Sequence, residues 1–318
     1  MLAHFRLTVP GHLVPDVQRL LTEHDHVTNV TVQPGAVLKP PGDLLEADVA
    51  RESAGLLMTE LHDLGLDRHG GIVISTPTGT PFHAADELER IAPGHPDDAV
   101  IWDAVEDAAE AGAVPTLSYH LFLVLAVALA AIAVLTDSAV LVVGAMVVGP
   151  EFGAITAVSA GIVLGRAGLV WRSTRLVLFS FAFAVLAVVV LALLGVLLGI
   201  VDSDLVTRPR PNTGFIFNPD HWSFVVGVLA GAAGALAVAL QRAATMVGVF
   251  ISVTTVPALG NLALGIAVLD PDEIVGSLAQ LGLNVAGMLV AGVGVLLLVR
   301  TAWPWLAART ERIFGVTT

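Results

Sequence analysis

The hydrophobic positions of this 318-residue chain fall into two regimes. Beyond about residue 116, apolar residues run almost unbroken in six stretches: 119–135, 139–165, 176–201, 222–240, 243–269 and 274–299. A bilayer-crossing helix needs ~20 apolar residues at about 1.5 Å rise each, so six spans are predicted. Before that point the pattern is that of a soluble α+β fold. Strands are predicted over 3–9, 27–32, 44–49 and 72–75, where alternation or β-branched content is high. Helical spacing joins Leu13, Val17, Leu20 and Leu21, and over 51–64 it joins Ala54, Leu57, Met58 and Leu61. The order β-α-β-β-α-β is that of the ferredoxin-like split βαβ arrangement. Pro34-Gly35 and Pro40-Pro41-Gly42 are read as the loop after the second strand.

Two of the apolar stretches are interrupted. The second carries Gly149, Pro150 and Glu151 near its middle, and the fifth carries Thr254, Thr255, Pro257, Gly260 and Asn261. Proline removes a backbone donor and clashes with the preceding turn. Broken backbone at membrane depth must find partners in protein or in a water-filled cavity, because lipid has none. Both interruptions contain Pro-x-x-Gly, at Pro150–Gly153 and Pro257–Gly260, and each lies in the middle member of a group of three spans. Matching interruptions in halves that run in opposite senses point to a 3+3 inverted repeat with a transporter-like site between them.

Charge then divides the chain and orients it. Residues 1–112 hold 19 of the 28 acidic and 6 of the 15 basic side chains, so the soluble part carries the whole net charge of −13. That balance argues against nucleic acid or anionic lipid as partners of the soluble part, and it equally fits adaptation to a salty cytoplasm. Mean hydropathy is +0.83. No signal peptide is expected, since Arg6, Pro10, Pro15 and Asp16 interrupt the start of the chain. Arg166, Arg172, Arg175, Arg242, Arg300, Arg309 and Arg312 flank the spans on one side, and only Arg208 and Arg210 lie on the other. This predicts both termini and the soluble domain in the cytoplasm and the spans in the cytoplasmic (inner) membrane. Tyr119, Trp171, Trp222, Trp303 and Trp305 fall at the predicted interfaces. The domain boundaries read as 1–76, a ferredoxin-like domain; 77–115, a linker and an acidic juxtamembrane helix that couples the domains; 116–300, the membrane domain; and 301–318, a tail.

One run in the second span carries a resemblance. Val142-Val143-Gly144-Ala145-Met146-Val147-Val148-Gly149-Pro150 resembles the signature of a bacterial and archaeal membrane family, the domain of unknown function 389, also called the uncharacterised hydrophobic domain. Val247-Gly248-Val249 through Pro257, and Leu283-Asn284-Val285-Ala286-Gly287, are similar to its later motifs, over roughly residues 115–300. The soluble domain is similar to one that precedes it in some members. The chain departs from the family's small-Pro-Leu at Glu151 and from its double proline at Val256-Pro257. The resemblance implies fold and topology, not an activity.

The chemistry offered by the spans is sparse. Glu151 is the most informative residue, because an acid at the midplane is costly and is usually retained for a task. It is expected to bind a cation or carry a proton; the structural alternative is a strut that caps broken backbone or pairs with an arginine. Pro150, Thr254, Thr255, Pro257 and Asn261 are expected to line the same cavity, though a threonine in a span equally bonds its own i−4 carbonyl. Asn284 serves as helix glue or as a further ligand. Asp137 is expected to cap the second span. Gly227/Gly231 and Gly161/Gly165 are small-residue faces for close packing, and a homo-oligomer is expected.

His24-Asp25-His26 and Asp67-Arg68-His69 lack metal-ligand spacing and read as solvated turns. Cysteine is absent, and no His-Glu-x-x-His or serine–base pair is found, so neither catalysis nor a metal or other cofactor is expected. The chain reads as a polytopic α-helical membrane protein that moves a small solute or ion past Glu151, surrounded by membrane lipid. A ligand-gated channel and a non-transporting, membrane-anchored sensor are the alternatives.

Overall fold

The computed structural model describes residues 2–92, 95–242 and 254–302. Two compact units divide at Asp103/Ala104.

The first unit is built on a four-stranded antiparallel sheet: β1 (Leu2–Val9), β2 (Val27–Leu38), β3 (Pro41–Ala50) and β4 (Gly71–Ser75), in the order β2-β3-β1-β4. The helix α1 (Val14–Glu23) joins β1 to β2. Between β3 and β4 run α2 (Arg51–Asp63) and the four-residue α3 (Leu66–His69). Strand alternation decides the core. Phe5 and Leu7 of β1 lie opposite Ala47 and Leu45 of β3, and all four are buried with Val17, Leu21, Leu57 and Leu61 of the helices. Each large side chain fully buried in this way contributes roughly 1.5–3 kcal/mol.

One expectation changes here. The second strand does not end at Val32: a register shift between Gln33 and Val37 absorbs Pro34 and Gly35 within the edge strand. An edge bulge is where a sheet tolerates proline, and the Gly35 amide donates to Asp43 Oδ1 at 2.8 Å. Residues 77–92 hold a further helix. The helix α4 (His83–Ile91) buries Ala85 and Leu88, with Ala92, against Leu2 and Ala50.

The second unit is helical. After α5 (Trp102–Gly112) come α6 (Leu117–Leu135), α7 (Ala139–Val148), α8 (Glu151–Leu164), α9 (Ala167–Leu197), α10 (Ser203–Thr207), α11 (His221–Ala239), α12 (Thr255–Val268) and α13 (Pro271–Thr301). The helices α6, α9, α11 and α13 are each long and apolar enough to cross a membrane. The pair α7–α8 passes the same test together, bent by 55° at its break, which makes up to five candidate spans among the described residues. The fifth predicted span is represented only by α12, 14 residues long. Its first half, with Val247-Gly248-Val249, lies outside the described residues, as do Trp303, Trp305, Arg309 and Arg312.

The burial pattern explains this arrangement. The two short helices are apolar on every face, and α8 and α12 are buried almost throughout, as an all-round hydrophobic helix must be. α12 packs on α6 and α9, and α8 packs on α9. The long helices keep outward apolar faces, with Leu125, Leu186, Leu229 and Val290 exposed. Gly227 and Gly231 pack within this unit, since a Cβ at Gly231 would stand 2.5 Å from the Met288 backbone of α13. Ser138, not Asp137, caps α7, accepting from the Leu141 amide. Asp137 turns away at φ +48° and instead accepts from the Asn212 amide nitrogens and the Thr213 hydroxyl. On α5, Glu106 and Glu110 pair with Arg166 and Arg172 at 2.6 and 3.4 Å.

Candidate functional site

The site begins with the break. Gly149 ends α7 in an extended conformation, φ −67° and ψ 128°, as the residue before a proline prefers. Pro150 occupies the cap position of α8 and Glu151 its first turn. A carboxylate is favoured at a helix N-terminus, where backbone N–H groups and the helix dipole point outward. The Glu151 side chain is 6% exposed, and among the described residues it pairs with no arginine. Its Oε1 accepts a 2.7 Å hydrogen bond from Thr255 Oγ1. Its Oε2 is buried without a hydrogen-bond partner among the described residues.

Thr255 opens α12 and Thr254 caps it, so the first turns of two short buried helices meet through Glu151 and Thr255. Pro257 stands in the first turn of α12, where a missing N–H costs nothing because those donors have no partner inside the helix. It therefore stands where a helix tolerates it. Thr254 makes no side-chain cap bond to α12. Its Oγ1 accepts from Gln280 Nε2 at 2.8 Å and from Asn284 Nδ2 at 2.5 Å, both on α13. By contrast Thr156 and Ser173 do donate to their i−4 carbonyls. The amide oxygens of Gln280 and Asn284 are buried and unpartnered among the described residues.

Asn261 departs from its expected place. Lying nearly two turns along α12 from Thr254, it belongs to a second buried network. Asn261 Oδ1 accepts from Arg210 Nη1 at 2.7 Å, and its Nδ2 donates to Glu273 Oε2 at 2.7 Å and to Ser277 Oγ at 2.8 Å. Arg210 Nη2 meets Glu273 Oε1 at 2.5 Å, and its guanidinium lies 4.6 Å from the centroid of the Phe217 ring.

Of the residues predicted for one cavity, Glu151, Thr255 and Thr254 with Asn284 gather around the first turn of α12, while Asn261 stands apart. Sequence reasoning missed Arg210, Glu273, Ser277 and Gln280. Arg210 and Glu273 were read as members of polar connections, and Gln280 and Ser277 as part of an apolar run. The signal that could have found the last three was their spacing with Asn284, at intervals of four, three and four residues, which puts all four on one helix face.

A cavity of about 310 Å³ adjoins the first turns of α8, walled by Gly153, Thr156, Ala108, Ala109, Ala237 and Val238. Among the described residues no group of three His, Asp or Glu side chains could hold a metal ion.

Residues 146–290, from the end of α7 into α13, match the family model described as "Domain of unknown function (DUF389)". The match includes Glu151, Arg210, Thr255, Gln280 and Asn284, and begins after Val142–Ala145 of the signature run. A search of the curated proteins and of the solved structures finds no match.

Proposed function

We propose that this membrane protein moves a small solute or ion through a site at the junction of α8 and α12, with Glu151 as its charged ligand. One observation carries the reading: a buried carboxylate at a helix break, with one oxygen held by Thr255 and the other unpartnered. Leaving a buried acceptor unsatisfied costs about 1–3 kcal/mol, a cost that an incoming ligand would remove. Short helices whose N-termini meet inside a helical bundle are the usual construction of a transporter site.

On this reading the chain has six spans, and the arginine bias puts both termini in the cytoplasm. The strand order and connectivity of the first unit support a ferredoxin-like domain that regulates the membrane part. A homo-oligomer and the absence of catalysis belong to the same proposal. The cytoplasmic-domain sensor remains the rival reading, and water access separates the two.

The native chain has no cysteine, so a single Thr255→Cys substitution reports on the site without background. In membranes, a small hydrophilic thiol reagent is expected to label that position. A protein in which the spans only anchor a sensor would stay unlabelled there, and that result would sink the transport reading.

A further inference from the structure

Four buried polar side chains run down one face of α13: Glu273, Ser277, Gln280 and Asn284, each no more than 3% exposed. At about 1.5 Å per residue the stripe is ~16 Å long, and it faces the polar residues of α12. Its two ends differ. At the Glu273 end the stripe holds a cation of the protein's own, the Arg210 guanidinium, bonded to Glu273 and Asn261. At the other end, where Thr254 and Thr255 meet α13 and α8, three buried oxygens have no donor among the described residues: Glu151 Oε2, Gln280 Oε1 and Asn284 Oδ1. The two amide oxygens share their carbons with the nitrogens that bond Thr254, so both belong to the same junction.

We infer that this end binds a partly dehydrated monovalent alkali cation, with Glu151, Gln280 and Asn284 as its oxygen ligands and Thr254 and Thr255 orienting them. The chemistry is selective in three ways. An anion would lie against the full charge of the Glu151 carboxylate, which opposes the attraction of the N–H groups at the two helix N-termini. A divalent ion would leave an unbalanced positive charge in a medium where burying net charge is expensive. A transition metal prefers imidazole nitrogen or sulfur ligands, and none is present at the junction among the described residues. One carboxylate and neutral oxygens balance one positive charge, as Glu273 and Asn261 balance Arg210 at the far end. The inference rests on the reading of the junction as a solute site, and it names the class of solute.

The test uses the full-length protein in detergent at constant ionic strength, with choline chloride replaced stepwise by lithium, sodium or potassium chloride. The unfolding temperature is followed by tryptophan fluorescence. A ligand that binds only the native state raises it saturably, by roughly 5–10 °C at a hundredfold excess over Kd for a unit of this size. The expected result is such a rise with at least one alkali ion, lost in Gln280→Met and in Asn284→Leu. In choline those two variants should unfold no earlier than wild type by more than about 2 °C, because each removes an orphaned buried oxygen along with one hydrogen bond.

Absence of any alkali response in wild type overturns the inference, as does a response that survives both substitutions. Thiol labelling at Thr255→Cys distinguishes the two levels of argument. Labelling without an alkali response sinks the cation site and keeps the solute site. An alkali response without labelling keeps a bound cation and sinks transport.

Discussion

Thr255 and Glu151 lie 104 residues apart in sequence and are joined by a 2.7 Å hydrogen bond inside the helical unit. The hydroxyl is the carboxylate's side-chain donor among the described residues, and it links the first turn of one buried helix to that of another. Removing it with Thr255→Val should leave the buried carboxylate without that donor and destabilise the protein by about 1–3 kcal/mol. In a Glu151→Leu background the same change should cost far less. A double-mutant cycle read by denaturant unfolding measures the difference as a coupling energy. A coupling near zero would mean that the bond contributes nothing to the junction.

Gly149 makes room for that carboxylate. A Cβ added there would lie 2.4 Å from Glu151 Oε2 and 2.7 Å from Val256 Cγ2, so Gly149→Ala must displace the side chain whose free oxygen defines the site. Gly144, also on the α7 side of the break, is the control, because its nearest neighbour would be Leu129 Cδ2 at an ordinary 3.8 Å. Gly144→Ala should be neutral or stabilise the helix by up to about 1 kcal/mol. Gly149→Ala should abolish thiol protection by any bound solute at Thr255→Cys while the protein remains folded. Equal behaviour of the two variants would remove Gly149 from the site.

The break itself was legible in the sequence because its cause is local: Gly149-Pro150 cannot continue a helix, and the structure bends there. Glu151 was legible for a different reason, the rarity of an acid in so apolar a run. The partner assignments were not. Thr255 was grouped with Asn261 because both lie in one apolar stretch, yet six residues of helix carry Asn261 away to Arg210. Arg210 could not be read at all as a buried group, since a cation in a polar connection looks solvated until Glu273, Asn261 and Phe217 close around it. The strand 44–49 was legible from its alternation, whereas the extension of β2 through Pro34-Gly35 depended on a bulge that only strand pairing reveals.

Asp137 predicts a pH dependence outside the spans. Partial desolvation pushes its carboxyl up, but hydrogen bonds from Thr213 and Asn212 outweigh this and hold it below the usual aspartate value. A group depressed in the folded state contributes stability that is present above its unfolded pKa and lost as pH falls through its folded pKa. The tie between Asp137 and Asn212–Thr213 should therefore hold at neutral pH and loosen in acid, below the ordinary carboxylate range. Hydrogen exchange at the Asn212 amide, corrected for its intrinsic rate, should show protection that falls across that acidic window. Asp137→Asn should flatten the profile; a profile unchanged by the substitution would assign the protection to another group.

The Arg210–Glu273 pair makes the sharpest stability prediction. Arg210 is 5% exposed and Glu273 3% exposed, so neither can turn to solvent when its partner is removed. Loss of one partner leaves an uncompensated buried charge, which typically costs about 3–5 kcal/mol. Glu273→Met should therefore be severe, and Arg210→Met should be severe as well, since it strips both Glu273 and the Asn261 oxygen of a donor. The double variant Arg210→Met/Glu273→Met removes both charges together, and buried pairs replaced by apolar groups of similar volume are often neutral or better. It should recover most of the loss, short of full recovery because Asn261 keeps only Ser277 of its three partners. Unfolding measured for the two single variants and the double variant decides the point: single and double losses that simply add would show that the two residues act independently, and the tethered-cation role of Arg210 at this end of the α13 stripe would fall with that result.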